Sequence, residues 1–191
     1  AGTRHFARGP SALGTPCAKH IARKLAAGPQ SPEQEPAWAP FQGTAVHASM
    51  VEVIAHWNAM EGRWRWLPVG RIEVADGITG EADAYDTDHE MVVDWKHVGV
   101  TALKELRDKG TVSQEYRVQA HLYGRGYARL GRPVKAVRLV LLSRSWKFDD
   151  SEEWTEPYDE ALALEAVDRY RSIAAHMEGG GSVMDVRATP S

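Results

Sequence analysis

The chain has a single cysteine in 191 residues. One thiol excludes an internal disulfide and cannot by itself hold a four-cysteine cluster. No apolar run approaches the ~20 residues that a membrane helix needs, and no secretory signal pattern stands at the start. The expected setting is therefore soluble and cytoplasmic. Internal repeats are absent. Positive charge is in short supply as well: the net charge is −3, which argues against a chain that clings to nucleic acid over its whole surface. With 43% hydrophobic residues, one domain with a proper core is the natural expectation.

The patterning divides the chain into three. Residues 1–42 are rich in Ala, Pro and Gly and read as an arm, with a helical patch near 17–27 and a Pro-rich connector over 28–40. Residues 43–178 carry the regular elements, and 179–191 read as a flexible tail. Val46, Met50, Val53, Ile54 and Trp57 recur at helical spacing, so about 44–60 predicts a helix. Strands are predicted over 69–75, 78–86 and 91–96, with Asp76-Gly77 as a hairpin turn. Helices follow over 101–109 and 113–130, then an apolar strand over 134–143 and a last helix over 159–177. The helix-to-strand step suggests a crossover packed on the sheet.

Four groups of residues fall on these elements. Gly80-Glu81-Ala82-Asp83 lies on the second strand and Asp94-Trp95-Lys96 ends the third. Two carboxylates on adjacent strands can hold a hard divalent cation through oxygen. Lys96 lies two residues past Asp94 and so shares its face. Gly43 and His47 sit at the start of the first long helix. Gln119 and Tyr123 are four apart on a later one and share a face.

Taken in order, G-x-x-x-H, G-x-x-D, D-x-K and Q-x-x-x-Y over roughly residues 43–147 resemble the motifs of the RecB-like branch of the PD-(D/E)xK nucleases. That branch includes CRISPR-associated RecB-like and phage-type exonucleases. The resemblance implies an α/β, restriction-endonuclease-like core with a central mixed sheet flanked by helices. It implies Mg²⁺ or Mn²⁺ held by His47, Asp83, Asp94 and the backbone carbonyl of Trp95, with Lys96 orienting or activating water and Gln119 and Tyr123 lining the site. Its implied activity is exonucleolytic cleavage of DNA, single-stranded or with free ends, in recombination, repair or phage DNA metabolism. A catalytically silent nucleic-acid-binding module and a DNA endonuclease stand as alternatives. Many relatives hold an iron–sulfur cluster through one cysteine before the core and three after it. Cys17 stands where the first would be, so a [4Fe–4S] cluster is expected only if the native chain is longer and supplies the rest.

Other residues carry two readings each. The segment Arg117, Arg125, Arg129, Arg132, Lys135, Arg138, Arg144, Lys147 contains no acid, whereas 149–168 is acid-rich. The basic residues, with Tyr116, either lead DNA phosphates to the site or pair with the acidic stretch. Glu73 is a secondary ligand candidate or an exposed strand acid. Trp57, Trp64 and Trp66, interleaved with Arg63 and Arg65, either stack bases or close a hydrophobic lid, and packing is the commoner use of tryptophan. His121 points away from Gln119 and is not placed in the site.

Overall fold

A computed structural model describes residues 9–27, 38–144 and 150–187, apart from the side chains of 39, 40 and 69. The elements are α1 (Pro10–Leu13), α2 (Ala18–Ala26), α3 (Trp38–Glu61), β1 (Trp66–Ala75), β2 (Ile78–Asp86), β3 (Met91–Val98), α4 (Val100–Lys109), α5 (Gln114–Arg129), β4 (Ala136–Ser143), β5 (Glu152–Pro157) and α6 (Glu160–Glu178). The sheet order is β1-β2-β3-β4-β5, with β3 and β4 parallel and the other pairs antiparallel. It is the mixed sheet flanked by helices that the family resemblance implies. Among the described residues no helix is long and apolar enough to cross a membrane.

Local chemistry sets most boundaries. Gly77 turns the β1–β2 hairpin at φ 76°, and its N–H donates to Glu73 Oε1 at 2.9 Å. Gly110 ends α4 in the left-handed region, where glycine carries no steric penalty. Asp159 caps α6, accepting from Ala161 and Leu162 N–H at 2.9 and 3.2 Å.

The two faces of the sheet are covered differently. Val74, Tyr85, Val92, Leu122, Val137 and Leu139 belong to the larger core, shared with α5 and α6. Ile54 of α3 packs with Met91, Val93, Trp95 and Leu142 on the other face. Burial on both faces gives β3 its nearly continuous apolar run. Gly124 and Gly126 let α5 approach closely: a Cβ on Gly126 would stand 2.6 Å from Ile72 Cδ1, and one on Gly124 2.7 Å from the Tyr158 ring.

Three elements differ from expectation. The first long helix begins at Trp38 rather than Thr44, so the end of the expected connector is helical; Pro40 is tolerated there because the first turn needs no intrahelical N–H bond. Residues 28–37 of that connector lie outside the described residues. The short helix α1 and strand β5 were not foreseen. In β5, Glu-Glu-Trp-Thr-Glu-Pro, only Trp154 is fully buried, so the apolar alternation that signals a strand is missing.

The β2–β3 turn is anchored by Asp86, which is 1% exposed. It accepts from Arg65 Nε and Nη2 at 3.1 and 2.9 Å and from Asp88 N–H at 3.0 Å, with His89 Nδ1 at 2.7 Å. Burial alone would raise its pKa; the hydrogen bonds from Arg65, His89 and Asp88 outweigh this and bring it down to about 2. A carboxylate depressed in the folded state stabilises above its unfolded pKa, near 4, and loses that contribution as pH falls through its folded value. Asp86→Asn is expected to cost about 2 kcal/mol in urea denaturation at pH 7. The gap between variant and parent should narrow below about pH 4 and close near pH 2.

Candidate active site

The pairing of β2 with β3 runs from Asp86 opposite Met91 to Ala84 opposite Val93. One residue further on, Asp83 takes over from the ladder: its Oδ2 accepts the Trp95 N–H at 2.7 Å. Its Oδ1 lies 2.7 Å from His47 Nδ1 on α3. Asp94, on the opposite face of β3 from Trp95, meets Lys96 Nζ at 2.6 Å through Oδ2. The Lys96 ammonium also lies 5.5 Å from the centre of the Tyr116 ring. On α5, Gln119 Nε2 donates to the Tyr123 hydroxyl at 2.9 Å. His47, Asp83, Asp94, Lys96, Gln119 and Tyr123 all line one open cleft of about 550 Å³.

Burial governs the electrostatics. Asp94 is 2% exposed, and burial raises its pKa to about 6 against the opposing pull of Lys96. Burial would lower the Lys96 pKa, but the Asp94 and Asp83 carboxylates outweigh it and hold it above its ordinary value. The hydrogen bond to Asp83 raises the His47 pKa, against burial. Burial also raises the Tyr123 pKa, so its hydroxyl stays protonated.

Three carboxylates line the cleft, Glu81, Asp83 and Asp94, against one lysine. Such a site repels a phosphodiester unless a cation offsets the charge. Asp94 Oδ2 is buried and, although close to Lys96, accepts no hydrogen bond of proper geometry. Among the described residues no group of three or more His, Cys, Asp or Glu stands ready-formed around a metal position; the carboxylates are instead paired with His47, Trp95 N–H and Lys96. The donor set nevertheless fits a hard divalent cation, being carboxylate oxygen with one imidazole at hand.

One placement differs from expectation, and several double readings gain partners. His47 lies well inside α3, not in its first turn, and Gly43 faces the cleft as a helical residue. Trp95 reaches the site through its backbone, while its indole is buried in the core beneath α3. Glu73 is outside the cleft; it caps the hairpin turn and pairs with Arg129 at 3.4 Å. Arg117 Nε donates to Glu156 at 2.7 Å and Arg125 lies 3.6 Å from Glu160. Arg138 likewise pairs with Glu153 at 3.2 Å. Three of the eight basic residues thus pair with the acidic stretch, whose strand β5 had not been recognised, while Arg129 pairs with Asp76 and Glu73 and Lys135 with Glu90. Arg144 is exposed and donates to the His97 carbonyl at 3.0 Å. Trp146 and Lys147 lie outside the described residues.

Cys17 is a free, half-buried thiol at the N-terminal end of α2 and does not line the cleft. Arg63 and Arg65 are held by Asp88 and Asp86, and Trp57 and Trp66 pack on each other at 5.8 Å, while Trp64 is 69% exposed. His121 is buried between Glu156 and the Asp159 N–H, away from the cleft as expected. Glu81 was overlooked. It lies two positions from Asp83, so strand periodicity puts it on the same face.

No protein-family model and no curated protein matches the chain. Solved structures do. An alkaline exonuclease from Laribacter hongkongensis (LHK-Exo) aligns with a TM-score of 0.57 at 17% identity, over 85% of this chain and 78% of that one. The same exonuclease in complex with dAMP aligns at 0.61 and 16% identity, over 92% and 90%. A phage-related exonuclease from Haemophilus somnus 129PT gives 0.60 at 12% identity, over 84% and 81%. The chain has the fold of these exonucleases. At such identities the likeness speaks to architecture alone.

If the cleft takes a divalent ion, Mn²⁺ at a hundredfold excess over its dissociation constant should stabilise the fold by about 2.7 kcal/mol. Asp94→Ala should abolish that increment in a thermal-shift titration, whereas Glu73→Ala should keep it.

Proposed function

We propose that the protein is a metal-dependent deoxyribonuclease of the RecB-like kind, nearer to phage-type exonucleases than to CRISPR-associated ones, acting from DNA ends. The observation that carries this reading is the meeting of Asp83, Asp94 and Lys96 with His47, Gln119 and Tyr123 in one cleft. Mg²⁺ or Mn²⁺ would be held by Asp83 and Asp94, with His47 beside them. When bound, such an ion polarises a phosphoryl oxygen and makes its water more acidic. The chain's own groups do the rest. Lys96 brings positive charge to the phosphate as charge develops there. The Tyr123 hydroxyl accepts from Gln119, which leaves its proton free for donation into the cleft. Tyr116 fixes the Lys96 ammonium from the side. One structural neighbour is an exonuclease in complex with dAMP, which supports a nucleotide ligand for this fold.

The rival is a silent DNA-binding module, favoured by the mutual pairing of the carboxylates with protein partners. End-labelled linear single- and double-stranded DNA, incubated with Mn²⁺, Mg²⁺ or EDTA, separates the two. Metal-dependent shortening, reduced about 10³-fold in Lys96→Ala with DNA affinity kept within a few-fold, is the expected result. Binding without cleavage under every metal condition would establish the clamp. Cutting of covalently closed circular DNA would overturn the dependence on ends.

A further inference from the structure

We infer that residues 9–16 of the N-terminal arm buttress the active site from behind its lining, and that Pro10 is a positioning residue for Tyr123. The inference rests on the nuclease reading above. Gly80, the first residue of Gly80-Glu81-Ala82-Asp83, is where the elements meet. A Cβ on Gly80 would stand 2.6 Å from both Cγ and Cδ of Pro10 and 3.0 Å from Cε1 of Tyr123. The proline ring and the edge of the tyrosine ring thus press on the same bare backbone. Any side chain at position 80 must displace one of them.

Pro10 is suited to a fixed wedge. It is buried and opens α1, a position where its locked φ fits and its missing N–H costs nothing. The arm is also pinned beyond the wedge. A Cβ on Gly14 would lie 2.5 Å from the Glu115 carbonyl oxygen, so α1 ends directly against the first turn of α5. Arg169 of α6 then donates to the carbonyls of Leu13, Thr15 and Pro16 at 2.7, 2.9 and 3.2 Å. Three carbonyls gathered on one guanidinium fix the chain at the end of α1, because each would otherwise need its own partner. The arm is thereby held between β2, α5 and α6, with its stiffest residue against the Gly80 backbone.

The consequence falls on the hydroxyl. Tyr123 offers its proton to the cleft from a ring that turns about two bonds, and Gln119 fixes only the oxygen end. Pro10 and the edge of the ring close on the same point above Gly80, so the space left to the ring there is set by the proline. Displacing it by a fraction of an ångström moves a donor that must meet a phosphoryl oxygen, and small misplacements of this kind reduce turnover by large factors.

The test combines kinetics with ¹⁹F NMR of protein labelled with fluorotyrosine, the Tyr123 resonance being assigned by its loss in Tyr123→Phe. Gly80→Ala should lower kcat about tenfold or more with KM for linear DNA within about twofold, and should shift the Tyr123 resonance. Adding Pro10→Ala, which removes the ring atoms that the new Cβ meets, should restore most of kcat and return the resonance. In a Tyr123→Phe background, Gly80→Ala should have little further effect on turnover. An equal loss with or without the hydroxyl, or no recovery on adding Pro10→Ala, would overturn the inference. Should Gly80→Ala not fold, Pro10→Ala alone is read by the same two signals: a fall in kcat with a moved resonance supports the wedge, and no change in either overturns it. If the wild-type chain cuts no DNA with any metal, the nuclease reading fails on its own. The resonance then judges the contact: movement in Gly80→Ala reversed by Pro10→Ala upholds it, and an unmoved resonance rejects it.

Discussion

Asp83 joins three elements that share no common hydrogen-bond ladder. One carboxylate oxygen replaces a β2 carbonyl as acceptor for the Trp95 N–H, and the other reaches His47 on α3. Where the ordinary pairing of β2 and β3 ends, this side chain continues it, and the cleft opens beside it. A buried N–H must find an acceptor, so the end of the ladder and the position of the acid are one constraint. His47, Asp94 and Lys96 take their places around it.

The charge balance of the cleft follows from burial. Asp94 projects into the face covered by α5, where its carboxylate resists ionisation, and Lys96 at 2.6 Å, with a smaller contribution from His47, offsets part of that cost. Removing one member of such a pair leaves a buried charge alone. Three carboxylates against one lysine leave the cleft acidic, while Arg117, Arg125 and Arg138 pair with Glu156, Glu160 and Glu153.

Much of the core was legible in the sequence. Helices over 113–130 and 159–177 and the three-stranded meander were expected from the sequence, with the limits of β2 as found at 78–86. Gln119 and Tyr123 share a face because they are four apart on a helix, and Lys96 follows Asp94 by two on a strand. What escaped has a physical cause in each case. Strand β5 exposes most of its side chains and so shows no apolar alternation. Pro40 looked like a breaker but sits in the first turn of α3, where it breaks nothing. Glu81 was hidden by the stronger signal of Asp83 beside it.

The sequence by itself determined the repertoire: which residues can bind metal, carry charge or share a face, since those follow from side-chain chemistry and local periodicity. Only the tertiary structure decided the partners. Whether Arg117 meets a phosphate or Glu156, and whether Glu73 meets a metal or Arg129, depends on elements more than thirty residues apart in sequence. So does the approach of both Pro10 and Tyr123 to Gly80. Such contacts are set by how strands and helices stack, and no local pattern records them.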